Sequence, residues 1–434
     1  MVISHWSLLT IKAKLNLAVW SVFLIKSILI LFVISSFKTW EDTDIALNLL
    51  HTGEFKMMHR GIYDYCFQFP VFSFIQFLIF KMGLGLPSIS VFQVLISSAI
   101  AYLLYYIIFG FIDLFDFPIW VKIEKEIIAF WSAAAFLMHP PISYYQIVNI
   151  HPFTLDQFFF FLIIFLVIRF IKEKKISTLI LLGAAMGMGA LSRSTLLIVW
   201  VPVIIIFFNY FSFKKALKYT FIVTALSMIV LFPWIYRNYN IYNKLLITTT
   251  TGEIIWKGSI HGSDGGNHLT DGRHYLDVLT NKEKEQIDKM DVLQRQNFFF
   301  SKYFDILKND PAQIVKMYFV KLKNFWWFRS QLGIDYSQSL QNYLMYYKLG
   351  YIVILIGAIA GIILLGKNIL YLLSFPLVLS LLQSVFYVET RHRMVIEPFL
   401  IFLTITSIFY ILFFRKEKVK APQVPSPKNQ EPIR

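Results

Sequence analysis

One cysteine, Cys66, in a chain of 434 residues leaves no partner for an internal disulfide, so any part outside a membrane must fold by packing alone. Charge is also scarce: 15% of the residues are Asp, Glu, Lys or Arg, while 57% are hydrophobic. Soluble domains carry about 25% charged residues, so this deficit excludes a soluble globular domain and a disordered chain alike. There is no G-x-G-x-x-G or Walker-type loop in a strand–helix setting; GAAMGMG, from Gly183, falls within an apolar run and reads as close helix packing. A removable signal peptide is missing too. The stretch 15–37 is too long for a signal core and lacks a small-residue cleavage site, so it reads as an uncleaved first span.

What is present is apolar and aromatic: 18% Phe, Trp and Tyr, with 44 Phe, and a mean hydropathy of +0.60. Apolar runs stand at about 15–37, 67–80, 88–112, 127–138, 153–171, 176–191, 195–212, 219–233, 349–365, 369–388 and 394–414. If all of them crossed, the Lys172–Lys175 and Lys214–Lys215 loops would face outward, against the cytoplasmic bias of Lys and Arg. The run at 67–80 is short and opens Phe67-Gln-Phe-Pro70, so it is read as interfacial or re-entrant. Lys122, Lys125, both lysine loops, Lys367 and the tail then lie inside. The same topology accounts for the net charge of +15, from 41 basic and 26 acidic residues, without a nucleic-acid partner.

The expected fold is therefore an all-α polytopic membrane protein: about ten transmembrane helices, one interfacial or re-entrant segment, and a small extracytoplasmic α or α+β region. Residues 1–233 form an N-terminal transmembrane module, 234–347 the extracytoplasmic region, 348–415 the C-terminal spans, and 416–434 a disordered cytoplasmic tail rich in proline and charge. Within 234–347, Asn281 to Asn309 has helical spacing and Asp310-Pro311 opens a further amphipathic helix.

Residues that break membrane rules collect on the outward face. Arg193, Arg237, Arg391 and Arg393 lie in or beside outward turns, contrary to the basic bias. Each alone is explained by snorkelling or an acidic neighbour; four together point to an anion, because guanidinium forks hold phosphate oxygens bidentately. The first outward segment supplies Glu41, Asp42 and Asp44 at a helix start. Capping and the helix dipole explain some acid there, yet three carboxylates exceed a cap's need. A carboxylate facing a phosphate site suits sugar transfer, where a base takes a hydroxyl proton while cations stabilise the departing phosphate. Eight histidines, including His139, His151, His268, His274 and His392, fall outside, without the i, i+4 spacing of a zinc helix. They read chiefly as ordinary surface histidines, with a divalent cation kept as a lesser alternative, and SDGGNHLTDG reads as a turn rather than a calcium loop.

The stretch PWIYRNYNIYNKLLITTTTGEIIWKG (233–258), GAAMGMGALSRST (183–195), RHRMVIEPFLIFL (391–403) and the HPPISYYQ turn (139–146), in that spacing, resemble the GT-C class of polytopic membrane glycosyltransferases. The nearest branch is the bacterial one related to protein O-mannosyltransferases, the lipid A aminoarabinose transferase and rhizobial galacturonosyltransferases. The resemblance implies a glycosyltransferase that uses a polyprenyl-phosphate sugar and inverts the anomeric carbon at the periplasmic face of a bacterial inner membrane. The acceptor would be an extracytoplasmic glycolipid, polysaccharide or protein. It further implies a catalytic acid in the first outer loop, with Asp42 the first choice, Asp44 the second and Glu41 beside them. Arg193, Arg237, Arg391 and Arg393 would hold the lipid phosphate. Trp234, Asn238, Tyr239, His139 and Asp156 would shape the substrate pocket, and Glu397 would pair with Arg393 or Arg391. No metal ligand and no definite cofactor is assigned. A flippase of lipid-linked sugars, a polysaccharide polymerase or ligase, and a scaffold that has lost its base are the competing readings.

Overall fold

Apolar runs with no lipid partner for their backbone N–H and C=O groups close those bonds internally as helices. The computed structural model describes residues 10–329 and 341–414; the charged tail from Lys416 lies outside them. Helix α1, Ile11–Phe32, starts on a Thr10 side-chain cap and is followed by α2, Glu41–Thr52, which ends on left-handed Gly53. A hairpin of β1, Met57–His59, and β2, Ile62–Asp64, pairs Met57 with Asp64 and His59 with Ile62. Its turn residues Arg60 and Gly61 both have positive φ, at 51° and 79°, as a two-residue hairpin turn of this twist requires.

Next come α3, Pro70–Lys81, α4, Leu86–Leu114, α5, Ile119–Leu137, and α6, Pro140–Val148. They are followed by α7, Phe153–Glu173, α8, Ile176–Ser192, a 3₁₀ turn Ser194–Val199, α9, Trp200–Tyr210, and α10, Phe213–Tyr242. The chain then enters a capping region and returns through α15, Gln341–Leu365, α16, Leu370–Gln383, a 3₁₀ turn Thr390–Val395, and α17, Glu397–Phe409. Among the described residues five helices are long and apolar enough to cross a membrane: α1, α4, α7, α10 and α15. They become six if α5 and α6, bent by 50° at their junction, count as one span. This is an all-α membrane protein apart from one short β-hairpin. Helix α3 has twelve residues, about 18 Å at 1.5 Å per residue, too short for a hydrocarbon layer of about 30 Å.

Small residues let helices meet closely where lipid offers no hydrophobic drive. A Cβ on Gly183 or Gly187 of α8 would fall 2.6 Å from Leu226 or Val230 of α10, and Ser227 donates to the Gly183 carbonyl at 2.9 Å. Gly357 and Gly361 of α15 seat Thr404 and Leu403 of α17 in the same way. The bundle has two unlike ends. At the basic end Asp113 pairs with Lys125 and Lys172, drawing α4, α5 and α7 together, and Asn368 donates to the Asp116 carbonyl. The opposite end is covered by the capping region.

That region begins after α10, which runs unbroken through Pro233 to Tyr242. It contains α11, Thr251–Lys257, α12, Asn281–Lys289, α13, Val292–Asn309, and α14, Pro311–Trp326, packed on a small core of Trp256, Ile260, Leu269, Tyr275, Ile287 and Phe299. Thr280 with Glu283 and Asp291 with Gln294 form capping boxes, and Asp310 caps α14 with Pro311 in its first turn. Asp64 ties the hairpin to this region, accepting from Thr249 at 2.6 Å and Tyr242 at 2.9 Å. Helix α14 is inverted for water. Its inner face carries Gln313, Lys321 and Asn324, all hydrogen-bonded to backbone carbonyls, while Val315 and Phe319 are more than half exposed, a pattern suited to an interfacial helix.

Candidate functional site

The site forms where six chain segments converge at the capped end. Lys38 and Asn149 form a parallel bridge, with Lys38 N–H on the Val148 carbonyl and Ile150 N–H on that of Lys38. This sets Trp40 beside His151, ring centroids 5.5 Å apart and edge to face. Helix α2 starts at once, so Asp42 turns inward while Asp44 stays exposed and Glu41 is half-buried. Asp42 is 4% exposed and accepts from Ser73 Oγ of α3 at 3.0 Å; Thr43 donates to Gln76 one turn further on. Helix α3 is thus the prop that buries the acid. Burial, then the charges of Glu41 and Asp156, push the Asp42 carboxyl up to about 7, against the pull of the Ser73 bond.

Asp156, in the first turn of α7, is 1% exposed. It accepts from Ser192 Oγ at 2.6 Å and from Arg193 Nη1 at 3.2 Å. Arg193 ends α8 with extended backbone, φ −157°, which releases its side chain across the helix end onto Asp156. The 3₁₀ turn before α17 brings Arg391, whose guanidinium carbon lies 5.2 Å from the Trp40 ring centroid, and His392. The turn is pinned by Gln157 on the Met394 carbonyl and by Arg329 of the capping region, which bridges Glu389 at 2.9 Å and Asp264 at 3.5 Å. Gly266 permits this bridge, because a Cβ there would overlap the Arg329 guanidinium. Asp264 Oδ1 thus faces the Arg329 guanidinium from the SDGGNH turn. Burial and the nearby Arg193 and Arg391 charges hold both His151 and His392 well below the usual imidazole range, so both are neutral.

Of the residues singled out from sequence, Asp42, Asp156, Arg193 and Arg391 meet in this cluster. The others lie elsewhere. Arg237 donates to the Phe55 and Tyr65 carbonyls and to Asn238, and stacks on Phe55 and Trp234. Trp234 and Asn238 donate to the Ile247 and Leu246 carbonyls, and Tyr239 faces outward. The conspicuous 233–258 stretch therefore holds the hairpin and the entry to the capping region. Arg393 is fully buried against Glu397 at 3.0 Å and Tyr347 at 3.0 Å, with its charge over Tyr351. His139 Nε2 stands 3.7 Å from the second Glu397 oxygen.

Beside this second cluster lies a cavity of about 580 Å³, lined by His139, Tyr144, Tyr347, Tyr351, Ile354 and Met394. It shares the 3₁₀ turn with the carboxylate cluster: Met394 lines the cavity and Arg391 stands one turn before it. Among the described residues no group of three or more His, Cys, Asp or Glu side chains is placed to hold a metal ion. Ser73, Gln76, Trp40 and Arg329 carry no mark in the sequence, and His151 and His392 read there as surface histidines, whereas His392 is buried and His151 half-buried; only burial and long-range contact reveal them. No family model, curated protein or solved structure matches this chain.

Proposed function

We propose that the protein is a membrane glycosyltransferase that moves a sugar from a polyprenyl-phosphate donor to an acceptor on the periplasmic face of a bacterial inner membrane. The observation that carries this reading is the buried Asp42 set against Asp156–Arg193 and Arg391, at one end of a lipid-embedded bundle and next to a large apolar cavity. In this reading the chain crosses the membrane ten times, with the α3 helix lying at the interface. A carboxyl held near neutrality is matched to proton abstraction at physiological pH. Asp42 takes the proton of the acceptor hydroxyl as its oxygen bonds to the anomeric carbon. The bond from that carbon to the phosphate oxygen breaks, and the electron pair leaves with polyprenyl phosphate. Arg391 and Arg193 stabilise the charge gathered on that leaving group, with Asp156 and Ser192 holding the Arg193 fork in place. The isoprenoid chain lies in the cavity between α6 and α15.

The flippase alternative asks for charge at the membrane midplane. Lys26 of α1 is the candidate, but its ammonium donates to Gln146 of α6 at 3.0 Å, a structural pairing that favours the transferase. The test is transfer of labelled sugar from polyprenyl phosphate to envelope acceptors in proteoliposomes. Asp42→Asn is expected to abolish transfer and Asp44→Asn to preserve it. Equal transfer by wild type and Asp42→Asn would refute the assignment of the base, and donor translocation without transfer would favour the flippase.

A further inference from the structure

The two imidazoles of the site, His392 buried and His151 half-buried, share one local geometry. His392 Nδ1 accepts the Glu389 backbone N–H at 3.2 Å, and His151 Nδ1 accepts that of Phe153 at 3.2 Å. A neutral imidazole that accepts at Nδ1 must carry its proton on Nε2. Each ring therefore presents a fixed Nε2–H donor on the edge away from its backbone anchor. His392 is 3% exposed, and its Nε2 has no hydrogen-bond partner among the described residues. The indole Nε1 of Trp40 is likewise buried and without a partner there. The unmet donors of His392 and Trp40, from the Thr390–Val395 turn and the α2 start, thus stand near Arg391 with the His151 ring beside Trp40, and buried donors left unmet are costly.

We propose that His392, His151 and Trp40 are phosphate-binding residues, completing with Arg391 and Arg193 a cradle in which neutral N–H donors and guanidinium groups together hold one phosphate anion. The identity of that phosphate as the donor lipid's rests on the function proposed above; the cradle itself does not. The chemistry favours an anion over a neutral sugar, since the unpartnered ring groups, His392 Nε2 and Trp40 Nε1, are both donors and stand close to guanidinium charge. It also explains why the histidines are neutral: two further cations in a buried pocket would repel Arg193 and Arg391, whereas N–H dipoles add hydrogen bonds without adding charge.

The test measures binding of geranyl phosphate and of inorganic phosphate to the full chain in nanodiscs, with transfer followed separately. His392→Phe keeps the ring volume and removes the donor; it is expected to weaken geranyl phosphate about tenfold or more, the usual effect of losing one hydrogen bond to a charged group. His392→Gln, which returns an N–H near the Nε2 position, is expected to restore most of that loss. Trp40→Phe is the second variant, removing the indole N–H while keeping a ring under Arg391. Melting temperatures show that each variant is folded, and isotope-labelled imidazole nitrogen spectra should show Nε2-protonated rings whose signals move when phosphate binds. Competition by inorganic phosphate at like concentrations would assign the cradle to free phosphate, and binding of the isoprenyl ester alone to a lipid-borne one. Unchanged affinity in both His392→Phe and Trp40→Phe would overturn the cradle while leaving the transferase intact. Wild type that binds phosphate through these donors but never transfers sugar would instead sink the transferase and keep the cradle.

Discussion

Replacing Asp42 by Asn separates what the buried acid does for the fold from what it does for chemistry. Folding raises the Asp42 carboxyl from its ordinary 3.8 to about 7. A raised carboxyl is one whose protonated form the fold prefers, so stability is fullest at low pH, falls as pH rises from about 4, and levels off above about 7. At about 1.4 kcal/mol per pH unit, ionised Asp42 lowers stability at pH 8 by up to about 4 kcal/mol, and at pH 5 by less than about 2 kcal/mol. Asn has the same shape, keeps an oxygen for Ser73 Oγ, and is never ionised. Asp42→Asn should therefore raise the melting temperature of the detergent-solubilised protein by several degrees at pH 8, by clearly less at pH 5, and abolish transfer at both. Intrinsic tryptophan fluorescence during heating provides the stability assay. A variant that melts at or below wild type at pH 8, or gains equally at both pH values, would refute the claim that an ionised carboxylate is buried there at a cost.

The same carboxyl predicts the pH dependence of catalysis: transfer should fall about tenfold per pH unit below about 7, because the base must be deprotonated, and a pH–rate profile flat from 5 to 8 would contradict it. Arg193→Met leaves Asp156 as a buried unpaired charge and should destabilise by about 3 to 5 kcal/mol; Arg193→Met with Asp156→Asn should recover much of that loss, and a double-mutant cycle showing no coupling would show that the pair does not form. Gly266→Ala should displace Arg329 from Glu389 and loosen the 260–280 turns, read as faster limited proteolysis there. Transfer in that variant should fall as well, because the same bridge pins the turn that carries Arg391.

The sequence was most legible where the lipid solvent leaves few choices. Apolar runs had to become helices, Gly183 and Gly187 had to mark a close crossing, and Asp310-Pro311 had to start a helix, because each depends on residues within a few turns of one another. The run at 67–80 reads as interfacial or re-entrant from its length, its Phe67-Gln-Phe-Pro70 opening and the lysine loops, and it forms a helix of twelve residues. Helix α10 runs past 234 to Tyr242, because a helix end is set by capping, here at left-handed Asn243, and not by polarity.

The four outward arginines show where such reading stops. As sequence they are alike, basic residues at span ends. In the structure Arg237 is held by the Phe55 and Tyr65 carbonyls and Arg393 by Glu397, while Arg193 meets Asp156 and Arg391 lies over the Trp40 ring. Arg393 meets a carboxylate four residues along the chain, a pairing the sequence already offers, whereas Arg193 meets one 37 residues away and Arg237 carbonyls more than 170 residues away, which only packing between segments decides. By itself the sequence determined an all-helical membrane protein with acid and arginine at its helix ends, because hydropathy and helix periodicity are local properties. Tertiary structure alone decided that Asp42 is buried against Ser73, that Asp156 meets Arg193, and that Trp40 packs against His151 and Arg391. Burial and distance are properties of the packed chain.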